Sequence, residues 1–240
     1  MINTENTSEQ TEENVSGVPR SEIRTAEISE INTLSSYDIF EKCIARAENL
    51  ISFHTSTESV EEIKEEHYCD CYRSAVVLSI SALDAFIRKT VISEIVNAIS
   101  SKNSLNPKLN DYLKGLLNQD KLLDAARQYN LLEKVEEAIK SDFETKSFQG
   151  EWKITSYMEM VGYKDIFSEV SIAADINEKN LKRKLNVFTN RRHIIAHSGD
   201  YNLNQNPHKE NAINKEYANQ CIEIVILFAK TINDLITKKK

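Results

Sequence analysis

A chain of 240 residues holds one large domain or two small ones. Its 40% hydrophobic and 28% charged residues describe an ordinary globular protein, and no apolar run approaches the roughly 18 residues that a membrane-spanning helix needs. A net charge of −7 argues against a nucleic-acid coat protein, yet leaves room for RNA contact at one local patch.

Five glycines and three prolines leave few turns and long elements, which points to an all-α helical bundle. Residues 1–35 are rich in Glu, Thr, Asn and Ser without apolar periodicity, and are expected to form a disordered polar tail. Their opening stretch, MINTENTSEQTEENVSG, lacks the charged-then-apolar pattern of a secretory signal, so a cytoplasmic setting is expected. Residues 36–240 are expected to form a single helical domain. Ser35-Ser36-Tyr37-Asp38 has the hydroxyl cap and first-turn acid of a helix start, and Ile39, Phe40, Cys43, Ile44, Ala47, Leu50 and Ile51 follow at helical spacing. A long helix is expected over 59–100. Its centre, SAVVLSISALDAFIRKTVISEIV, is apolar nearly all round, as in a helix buried on most faces. Asp84 interrupts it, and a buried acid needs a partner.

About 103–175 is expected to be a helical insertion. It begins with two or three short amphipathic helices over 107–146, broken near Gly150, and continues as a weakly patterned region over 154–175. Two helical pieces, 177–186 and 187–197, end at Gly199, where a C-terminal cap belongs. A loop over SGDYNLNQNPHKEN and a last helix over 212–237 complete the chain.

The chemistry concentrates in Arg191-Arg192-His193-Ile194-Ile195-Ala196-His197-Ser198-Gly199. Four residues separate Arg192 from His197. A permanently charged guanidinium and an imidazole that titrates near neutrality can stabilise a pentavalent phosphate and move a proton. His193 and His197 share a helix face, and Ile194 and Ile195 are expected to point to the core. A basic stretch precedes them: Lys179, Lys182, Arg183 and Lys184 are candidate phosphate contacts, against a solvated helix face as the plainer reading. His67 and Cys71 in HYCDC are four apart but lack a second pair at finger-like spacing, so no metal site is expected. The four cysteines, Cys43, Cys69, Cys71 and Cys221, are expected to pack as small hydrophobes.

The order of a capped first helix, a buried helix reading SALDAFIRK, an insertion, RRHIIAH and one closing helix resembles the HEPN superfamily, and within it the ribonuclease-type, RiboL-PSP-HEPN-like domains. The resemblance spans about 37–100 and 177–237. It implies a homodimer that cleaves RNA without metal or cofactor, in a bacterial toxin or antiviral-defence setting, with an antitoxin or defence-system partner protein. Its Arg-x4-His motif maps to Arg192 and His197, with His193 as the supporting polar neighbour. Arg191 fits the motif with one more intervening residue and stays an alternative to Arg192. Asp84 is a candidate supporting acid that orients Arg192 or His193, or else the partner of Arg88 one turn on. The alternative implied function is a catalytically inactive HEPN-like module for binding or oligomerisation.

Overall fold

Ser35 and Asp38 start the first helix by capping each other. The Asp38 N–H donates to Ser35 Oγ at 3.0 Å, and the Ser35 N–H donates to Asp38 Oδ2 at 2.9 Å. In the computed structural model, residues 34–57, 64–101, 104–117, 127, 130–204 and 207–239 are described. Residues 1–33 of the expected polar tail lie outside them, and Ser35, at its end, belongs to the helix cap. Contacts divide the chain into Met1–Leu34 and Ser35–Lys240, and every described helix and strand belongs to the second unit.

Helix α1 (Ser36–Thr57) and helix α2 (Glu65–Ser100) form an antiparallel pair. Thr90 donates to Ser36 at one end, Phe40 packs on Phe86, and Tyr68 donates to the Thr57 carbonyl at the other end. Helix α2 runs about 54 Å at 1.5 Å per residue and is the axis of the fold. Ala75, Val76, Ile80, Leu83, Ile87, Val91 and Ile95 are fully buried along it, on more than one face, as its apolar composition foretold.

Short helices follow: α3 (Pro107–Leu116), α4 (Leu131–Glu144), α5 (Glu151–Met160) and α6 (Ile166–Ala173). The last two occupy the stretch that reads as weakly patterned. Eight to ten residues are too few for periodicity to register, and Ile154, Met158, Ile166, Phe167 and Val170 are held by tertiary burial. Tyr112, Phe143, Phe148 and Tyr157 form an aromatic cluster between α3, α4 and α5, continuous with the core along α2.

Helix α7 (Glu178–Ser198) is one uninterrupted helix, not two pieces. Asn177 caps its start through the Asn180 N–H, and Gly199 ends it in the left-handed region at φ 57°. Asn186, a weak helix former at the expected break, is held in place by Glu151. Its Oδ1 accepts the Glu151 N–H at 3.0 Å, and its Nδ2 donates to Glu151 Oε2 at 3.1 Å. Beyond Gly199, the expected loop holds a small antiparallel ribbon, β1 (Tyr201–Asn202) with β2 (Lys209–Glu210), in the register Tyr201 to Glu210. Helix α8 (Lys215–Lys239) closes the bundle against α1 and α2, with Cys221, Val225, Phe228 and Ile232 fully buried. No helix among the described residues is long and apolar enough to cross a membrane.

Candidate active site

Leu181, Leu185 and Phe188 face the core from α7 at spacings of four and three. Arg192 continues that stripe, so its stem runs inward rather than toward the histidines. It lines an open pocket of about 390 Å³ with Ser81, Asp84, Arg88, Lys146 and Gln149. Among the described residues, Arg192 forms no ion pair or hydrogen bond, and its Nε is buried without a partner. The neighbouring cations are already neutralised: Arg88 Nη2 lies 2.7 Å from Asp84 Oδ2, and Lys146 pairs with Asp142. Arg192 is therefore the uncommitted positive charge of this pocket.

Arg191, the other arginine that fits the motif, has the opposite environment. Its Nη2 donates to Asp200 Oδ2 at 2.7 Å, and its Nε lies 2.7 Å from Asp200 Oδ1. The same Nη2 reaches the carbonyls of Asn211 and Ala212, and the guanidinium lies 5.5 Å from the Tyr217 ring centroid. Asp200 is fully buried, with φ 67°, and also accepts from Arg73 Nε at 2.9 Å. Burial works against charge on Arg73, but its bonds to Asp200, Asp70 and Glu210 more than offset this and raise its pKa. Arg191 is thus tied into a lock joining α2, α7 and the ribbon.

Sequence reasoning passed over Arg73 and Asp200. Their signals were present: a charge at the edge of the apolar stretch of α2, and an acid directly after the capping glycine.

His193 and His197 are exposed, with ring centroids 4.3 Å apart. Five positions at about 100° each place His197 roughly 140° around the helix from Arg192. One chain therefore does not bring these two side chains to a common point on α7. Ile195 packs on the core, but Ile194 is 37% exposed, contrary to its expected orientation. With Val187, 48% exposed and seven residues earlier, it makes an apolar edge on α7.

Asp84 has the partner expected of the plainer reading. Besides Arg88, it accepts the Phe148 N–H at 2.7 Å and Ser147 Oγ at 3.5 Å. It shares the pocket with Arg192 but anchors the segment Thr145–Gly150 between α4 and α5. Arg88 adds a bond to the Lys146 carbonyl at 3.1 Å.

The basic stretch is divided by the helix. Lys179, Lys182 and Arg183 line a second pocket, of about 610 Å³, with Asn186 and Glu151. Lys184 is exposed on the other edge, beside Val187. Lys182 pairs with Glu178 at 2.8 Å and Glu151 at 3.3 Å, and the Glu178 bond raises its pKa. Among the described residues, no three His, Cys, Asp or Glu side chains gather as a metal site.

The all-α bundle is consistent with a HEPN-type fold. The RiboL-PSP-HEPN family model matches residues 41–238, and the chain belongs to that family. No curated protein and no solved structure matches it.

Proposed function

We propose that this protein is a metal-independent endoribonuclease acting as a homodimer, in a toxin or antiviral-defence role. The observation that carries the reading is the uncommitted guanidinium of Arg192 in an open pocket, while its neighbour Arg191 is consumed by Asp200. A buried or half-buried arginine without an internal partner suits an external anion, here the scissile phosphate of RNA.

In this reading His197 takes the 2′-hydroxyl proton or protonates the leaving 5′-oxygen, and His193 supports it across their 4.3 Å contact. Arg192 stabilises the charged phosphorane. The bond from the 2′-oxygen to phosphorus forms as the bond to the 5′-oxygen breaks. Because Arg192 and His197 diverge on one helix, a second copy completes the site. The exposed apolar edge of Val187 and Ile194 supports a two-fold contact there. The same edge suits a HEPN-like module that only binds or oligomerises.

The test is single-stranded RNA incubated with the protein in EDTA. The wild type cleaves it, and Arg192→Ala and His197→Ala do not, while both variants keep the wild-type unfolding temperature. Full activity in His197→Ala overturns the reading. A folded dimer without turnover on any RNA leaves the non-catalytic module.

A further inference from the structure

Lys179, Arg183, Asn186, Asn190, His193 and His197 follow one another on α7 at spacings of four, three, four, three and four. That is the spacing of a single helix face, and all six are exposed. At its N-terminal end the face opens into the 610 Å³ pocket, where Lys182 is held by two carboxylates. Lys179 and Arg183 line the same pocket and form no ion pair among the described residues. At its C-terminal end the face carries the two histidines. Between them stand Asn186, whose amide is bonded to Glu151, and Asn190, and neither side chain adds charge to the face.

We infer that this face is a track for a single RNA strand, with Lys179 and Arg183 forming a distal phosphate subsite. The inference rests on the proposed ribonuclease reading and extends it to the length of its substrate. From Arg183 to His193 the helix rises about 15 Å, which matches roughly four nucleotides of a stacked strand at about 3.4 Å per phosphate. The contacts reach phosphates rather than base edges, so the subsite selects for strand length and not for sequence. Lys184, on the opposite edge beside Val187, stands off the track.

The experiment measures RNA binding by full-length His197→Ala protein, which holds the substrate intact. Fluorescence anisotropy is read with a labelled ten-nucleotide single strand and with a dinucleotide. Adding Lys179→Ala and Arg183→Ala together raises the Kd for the ten-mer about tenfold. It also lowers the slope of log K against log salt by about 1.4, the signature of two lost phosphate contacts on a single strand. The same pair leaves dinucleotide binding unchanged, and Lys184→Ala leaves both unchanged. Equal losses for both lengths, no loss for the ten-mer, or a matching loss in Lys184→Ala overturns the track. So does a poly-glutamate peptide that competes as strongly as RNA, since the face would then serve an acidic protein segment. Failure of the His197→Ala parent to bind any RNA removes the ribonuclease reading itself. Binding retained by the double variant removes only the distal subsite.

Discussion

Arg191 grips Asp200 through two nitrogens, Nη2 at 2.7 Å from Oδ2 and Nε at 2.7 Å from Oδ1, while Arg192 beside it holds no partner among the described residues. Adjacent arginines that are interchangeable in the sequence are thus given opposite tasks by the fold. One fastens the end of α7 to Asp200 and the ribbon. The other has no partner among the described residues.

This division sets the first prediction. Asp200→Ala takes the buried carboxylate from Arg73, which keeps Asp70 and Glu210, and leaves Arg191 without an ion pair, at a cost of roughly 3 kcal/mol. For a domain of this size that is a fall of about 10 °C in unfolding temperature. Arg191→Ala removes one of two cations from Asp200 and costs about 2 kcal/mol. Arg192→Ala changes stability by less than about 0.5 kcal/mol, yet lowers cleavage by about 100-fold or more. Thermal melts beside RNA cleavage rates separate the two. A destabilised Arg192→Ala with normal turnover would reverse the assignment.

Asp84 gives a second prediction. Its bonds go to Arg88 and to the Phe148 N–H, so its influence on the site passes through the segment carrying Lys146, Ser147 and Gln149. Asp84→Ala strands that N–H and costs about 2 kcal/mol. It raises KM for RNA with little change in kcat, and Asp84→Asn, which keeps an acceptor, restores part of the stability. A fall in kcat with KM unchanged would show instead that Asp84 acts on Arg192 directly.

The thiols give a third. Cys221 is fully buried, and burial pushes its pKa up, which suppresses the reactive thiolate. Cys69 and Cys71 are half-buried, and burial raises both of theirs as well. Titration of the native protein with a disulfide reagent at pH 8 leaves Cys221 unmodified until denaturant is added. Prompt modification of Cys221 in the folded protein would contradict its place in the core between α8 and its neighbours.

The bundle was legible because long helices announce themselves. The capped start at Ser35, the apolar run of α2 and the glycine stop at Gly199 are local signals that tertiary structure reinforced. Helices α5 and α6 were not, because their few buried residues, such as Ile154 and Phe167, acquire meaning only against partners far along the chain. The candidate site was less legible. RRHIIAH singled out the end of α7, but spacing alone does not say that Arg192 extends the inward stripe of Leu181, Leu185 and Phe188 while the histidines face solvent. Nor does it say that Asp200, one residue past the cap, claims Arg191. Those facts depend on which face of α7 meets α2, a relation between segments more than a hundred residues apart in the sequence.

The chemistry proposed at Arg192 and His197 is reported most directly by the ends of the RNA products. Cleavage by 2′-hydroxyl attack in EDTA yields a 2′,3′-cyclic phosphate on one fragment and a 5′-hydroxyl on the other, and neither forms with His197→Ala. Products bearing a 5′-phosphate and a 3′-hydroxyl, or a wild-type reaction stopped by EDTA, would contradict that chemistry.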